Sequence, residues 1–162
     1  IKLKNNFEKS KEIFLEALNC IAREDFVNAE KKLLESYYLT PDRISIASNL
    51  VQIYIKLEDS IKLNNFLKKI NNFEDTFDFK IGLGYFKFFK KKYIDSLNIC
   101  KDLKPNNLKQ EVQSIFLKIK NLENINEFDQ VIELYKKILT LEKDHHINYY
   151  NFGTFLFRIG NT

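Results

Sequence analysis

Histidines, cysteines and clustered acids are the side chains that carry catalysis or hold metals, and the chain offers few of them. Its two histidines, His145 and His146, are adjacent. Metal-binding pairs on a helix stand four positions apart, so that both rings share a face. Neighbours at a predicted helix start point apart, so this pair reads as solvated surface. Cys20 and Cys100 lie far apart in the sequence, with neither a disulfide framework nor a metal-ligand spacing. Both fall on core-facing helical positions and read as buried packing residues. "GLGYF" at 82–86 contains two glycines, but no strand precedes it and no third glycine follows, so it is not a phosphate loop. "FKFFKKKY" at 86–93 interleaves aromatics with lysines, a chemistry suited to stacking bases and neutralising phosphates. The same letters also describe a helix end, with phenylalanines inward and Lys90, Lys91 and Lys92 coating a turn. We adopt that reading, because lysine-coated turns are ordinary surface. The sequence therefore predicts no enzyme, no metal and no cofactor.

The elements that must position these residues are helices. The chain has 162 residues but only four glycines and two prolines, too few turn formers for a β-rich protein. No apolar run approaches the roughly 18 residues needed to span a bilayer, so no membrane partner is expected. The net charge of +4 comes from lysine, with only three arginines in the chain. Arginine is the preferred partner of phosphate, and its scarcity disfavours nucleic acid. Two scattered cysteines suggest a reducing, cytoplasmic setting. The first residue is Ile1, not methionine, and the helical pattern runs on to Thr162. The expectation is a single domain over 1–162 that is a piece of a longer chain.

A fixed step runs through the sequence. Ala17, Val51, Gly84, Ile119 and Gly153 are separated by 34, 33, 35 and 34 residues. Each precedes a polar turn: Glu24-Asp25, Glu58-Asp59, Lys91-Lys92, Asn126-Glu127 and Gly160-Asn161. A second register, Ala29, Leu63, Ser96 and Val131, steps by 34, 33 and 35. Each unit holds two apolar stripes at helical spacing. The first pair is predicted at 10–23 and 26–39, with Pro41 marking the stop. Further helices are predicted to begin near 43, 60, 77, 93, 109, 127 and 146. "NNFEDT" at 71–76 reads as a loop. Nine tandem helices with short turns predict a solenoid.

The pattern resembles the tetratricopeptide repeat. "YYNFGTFLFRIGN" carries the likeness best, with Tyr149, Phe152-Gly153, Leu156 and the turn Gly160-Asn161. Leu83-Gly84, Leu50-Val51 with Tyr54, and Ala17, Ala29 and Pro41 supply the other units. Glu16 and Lys118 stand where the family has leucine, so the repeats are degenerate. The resemblance implies an all-α, right-handed α-α superhelix of about four and a half helix hairpins. It implies that Gly84 and Gly153 take the seat where two helices cross closely, and that Gly160 closes its helix in a left-handed turn. It also implies a concave groove lined by the first helix of each hairpin. Carried onto this chain, the groove residues are Asn49, Gln52, Tyr85, Phe88, Phe89, Lys120, Tyr150, Asn151 and Arg158. Aromatics would supply apolar area, and the amides would bond a peptide backbone. The charged clamp that some family members use for chaperone tails is not matched, since Asp78 has the wrong sign to grip a carboxylate.

The function expected from this reading is a scaffold that binds a peptide or protein segment. Two other readings stay open: a substrate-recruiting arm of a larger enzyme, such as a glycosyltransferase or sulfotransferase, and RNA binding through Tyr85, Phe88 and the lysine run. The apolar side of 149–159 further suggests self-association.

Overall fold

Small buried residues let two helices approach closely, and the structure, a computed structural model describing residues 2–160, uses them where α1 meets α2, with Ala17 and Ala29 both fully buried. Among the described residues it forms nine α-helices: α1 (Lys2–Ala22), α2 (Phe26–Leu39), α3 (Ile44–Lys56), α4 (Ser60–Lys69), α5 (Phe77–Phe89), α6 (Tyr93–Lys101), α7 (Leu108–Asn124), α8 (Phe128–Leu141) and α9 (His146–Gly160). The protein is all-α, as the step predicts. α1 starts at Lys2, eight residues before the predicted position, and the added turns place the Phe7 ring 5.3 Å from the Arg43 guanidinium. The 71–76 connection holds a short 3-10 turn, Asn71–Phe73. α6 stops at Lys101, ahead of Pro105, whose ring disfavours helix in the residue before it.

The chain forms two compact units, Ile1–Lys90 and Lys91–Thr162. In the first, α1 packs on α2, α2 on α3, and α3, α4 and α5 on one another. Ser10 and Ser36 are both fully buried where α1 meets α2, and the Ser36 hydroxyl donates to the Ser10 carbonyl at 2.8 Å. Two small side chains that satisfy each other keep the helices close without an orphaned polar group. In the second unit, α6 packs on α7, α7 on α8, and α8 on α9. Its core is Ile115, Ile119, Leu122, Val131, Tyr135, Ile138 and Phe155.

The 34-residue step is a structural period. Ala29, Leu63, Ser96 and Val131 are all fully buried. Ala17 and Val51 are fully buried as well, and Ile119 nearly so. Gly84 is buried in α5. The turn after each of these positions holds one left-handed residue: Glu24 (φ 59°), Glu58 (φ 53°), Lys91 (φ 58°) and Asn126 (φ 61°). At three of the turns the hydrogen bonds reverse the chain in the same way. The Asp25 N–H donates to the Cys20 carbonyl at 2.9 Å, Asp59 to Tyr54 at 3.1 Å, and Glu127 to Leu122 at 3.0 Å. These bonds satisfy carbonyls that the helix end would leave bare. Asp25 and Asp59 then cap the next helix, accepting from the N–H groups of Asn28 and Lys62.

The glycine positions differ in their surroundings. At Gly153 a Cβ would meet nothing within 4 Å among the described residues. Gly160 is helical, and no described glycine has a positive φ, so it supplies no left-handed turn. Its neighbour Asn161 lies outside the described residues. A close approach occurs at Gly82, which the spacing passes over. A Cβ there would sit 2.8 Å from Val51 Cγ1 and 3.3 Å from Leu67 Cδ2.

The two sites predict opposite outcomes for the same substitution. Gly153→Ala gains helix propensity with no clash, and should stabilise by up to about 1 kcal/mol. Gly82→Ala forces overpacking and should destabilise by about 1–2 kcal/mol net of that gain. Paired thermal melts check the sign: the midpoint rises for the first variant and falls for the second.

Candidate interaction surfaces

The predicted groove residues divide between the two units. Asn49 and Gln52 lie on α3, and Tyr85, Phe88 and Phe89 on α5. Lys120 lies on α7, and Tyr150, Asn151 and Arg158 on α9. Within the first unit, Asp78 at the start of α5 draws two of the α3 face residues together. Its carboxylate accepts from Ser48 Oγ at 3.0 Å and from Gln52 Nε2 at 3.2 Å. The Asn49 amide donates to the Ser45 carbonyl one turn back at 2.8 Å. This surface is thus a half-buried polar patch whose side chains are already fixed. Phe88 and Phe89 are half-buried, with ring centres 5.9 Å apart. Tyr85 is only 7% exposed and packs beside Phe89, so its ring belongs to the core more than to the surface.

In the second unit, Tyr150 is 73% exposed and Lys120 is exposed. Asn151 is half-buried. Arg158 is exposed but engaged: its Nη2 donates to Glu123 Oε2 at 3.1 Å. Glu123 also bonds the hydroxyl of buried Tyr135. The first unit has a counterpart, in which Glu30 bonds the buried Tyr54 hydroxyl and pairs with Lys62 at 2.9 Å. Neither network is legible from spacing alone, because each joins residues from three helices.

The residues with reactive side chains fall as follows. His145 and His146 are exposed, as predicted, but their rings do not point apart; they lie nearly parallel with centres 6.2 Å apart. His145 precedes the first turn of α9, and His146 is its first residue. Cys100 is buried, and burial pushes its thiol up to about 11. Cys20 is only half-buried, because it lies next to the exposed end of α1. Phe86, Phe88 and Phe89 turn partly inward while Lys90, Lys91 and Lys92 coat the turn, as predicted. Among the described residues no group of three His, Cys, Asp or Glu side chains could hold a metal ion. No described helix is long and apolar enough to cross a membrane.

No protein-family model matches the chain, and no curated protein matches it. The functional reading therefore rests on geometry.

Burial fixes the direction of alkaline denaturation. Desolvation raises the Tyr135 phenol to about 12 and also raises Tyr54. Lys62 is raised by its hydrogen bond to Glu30. Each folded pKa lies above its unfolded value, so the associated stability is complete below the unfolded value and is lost as pH rises through the folded one. The thermal midpoint should hold steady from pH 7 to about 9, then fall between about 9 and 12. Tyr135→Phe should flatten that fall. An unchanged alkaline slope in the variant would exclude Tyr135 as a contributor.

Proposed function

We propose that the chain is a helical-repeat scaffold, of the kind the tetratricopeptide resemblance implies, that binds a peptide or protein segment along the exposed faces of its first-position helices. One observation carries this reading. The same left-handed turn recurs at Glu24, Glu58, Lys91 and Asn126, with a buried seat before and after each. Within a unit, hairpins built on one template turn their first-position helices the same way, which gives an extended segment a repeated face to meet. In the first unit that face is polar, with Ser48, Gln52 and Asp78 tied together beside Asn49. In the second it is more apolar, with Tyr150 and Phe157 both strongly exposed. Side chains already held by neighbours lose little entropy when a ligand docks, so the rigid face favours binding.

A matched pair of positions tests the proposal. Tyr150 on α9 is 73% exposed, and Val27 on the second-position helix α2 is 72% exposed. A photo-crosslinking residue placed at Tyr150, at Phe88 and at Val27 in separate variants should capture protein from the first two positions and not from Val27. Equal capture from all three would remove the proposed face. Capture of RNA in place of protein, lost steeply with added salt, would favour nucleic-acid binding instead.

A further inference from the structure

A second surface, outside the first-position faces, has the shape of a site. In the second unit α6 and α8 both pack on α7, and a trough of about 600 Å³ opens between them. Its apolar lining comes from Ile94 and Leu97 on α6, Leu122 on α7 and Leu134 on α8. Ile94 is 58% exposed, so the lip itself is apolar. The charges on the rim are sorted by side. Lys101 and Lys118 stand toward α6 and α7, and Asp129 and Glu133 stand on α8. Where these groups have partners the contacts are exposed: Lys101 Nζ donates to Asn98 at 3.1 Å, and Glu133 pairs with Lys136 at 2.8 Å. Such surface contacts contribute little and are readily exchanged.

We propose that this trough binds an amphipathic helix from a partner protein, with an apolar ridge, an acidic flank and a basic flank. Three features select that occupant. The trough is bounded by helices, whose backbone groups bond internally, so it offers no open edge to an extended strand. A helix satisfies its own backbone and can enter an apolar trough at no cost in unpaired groups. The opposed rim charges then fix its direction, with acids against Lys101 and Lys118 and bases against Asp129 and Glu133. The trough would complete a local bundle, with the guest as fourth helix.

The test is a phage-displayed library of helical peptides about 16 residues long, about 24 Å of helix, panned against the 162-residue chain. Enriched sequences should carry apolar residues at i, i+4 and i+7, acids on one flank and lysine or arginine on the other. A labelled representative should bind saturably in fluorescence anisotropy. Ile94→Asp should weaken it at least about tenfold, as loss of an apolar anchor does. Lys101→Glu should also weaken it, and a peptide with that flank changed to lysine should recover. Circular dichroism confirms that both exposed-site variants stay folded. No enrichment, or binders indifferent to Ile94→Asp and Lys101→Glu, would overturn the proposal. So would a concentration-dependent dimer in sedimentation that Ile94→Asp abolishes, because the trough would then belong to a second copy of the chain.

Discussion

The recurring geometry rests on one backbone constraint. Helices α1, α3, α5 and α7 must each stop within three residues of the next, and a single left-handed residue stands in that gap at Glu24, Glu58, Lys91 and Asn126. None of these is glycine, so each carries a conformational cost of about 1 kcal/mol. The cost is offset on both sides of the turn. Seven residues before each lies a buried seat, Ala17, Val51, Gly84 or Ile119. Five residues after each lies a fully buried one, Ala29, Leu63, Ser96 or Val131. Slip the turn by one residue and both seats rotate away from the interface together. The constraint is thus a local unit of turn plus two seats, repeated with only one-residue variation in its spacing.

The seats tolerate different residue types because neighbouring positions compensate. Where Leu63 replaces a small residue, Gly82 on the adjoining α5 supplies the missing space, its absent side chain lying against Val51, Leu63 and Leu67. Where Ser96 takes the seat, Asn121 on α7 reaches in and donates to its hydroxyl at 2.9 Å. The pairing keeps the Ser96 hydroxyl from being stranded in the core. Such local solutions keep the turn geometry alike while the surfaces differ. The short α6, halted ahead of Pro105, is one result, and the trough beside it is lined by residues from all three neighbouring helices.

This division explains what could be read from the sequence. Eight of the nine helix starts are legible within a few residues, because apolar stripes and turn residues are local signals. The buried seats are legible because they recur. Gly153 illustrates the limit. Its place in the register matches that of Gly84, yet whether a small residue is needed depends on what stands opposite, and among the described residues nothing lies within 4 Å of a Cβ there. Gly82 is the reverse case: it falls outside the register, and its role comes from the bulk of Leu63 and Leu67 on another helix. The groove residues divide the same way. Exposure of Tyr150 and Lys120 follows from the helical face, whereas burial of Tyr85 and the tie between Gln52 and Asp78 depend on packing.

The charges show the same dependence on packing. Net charge is +4, yet cations on the predicted groove and nearby are partly neutralised by acids brought in from other helices. Arg158 meets Glu123, Lys62 meets Glu30, and Lys32 meets Glu16 at 2.6 Å. Glu30 and Glu123 each also hold a buried tyrosine hydroxyl, so they cannot be released to a ligand without unpairing that group. An anionic partner would compete with these carboxylates for the same cations. Charge at these positions is therefore already committed within the fold, and side-chain packing decides which cations stay open to solvent.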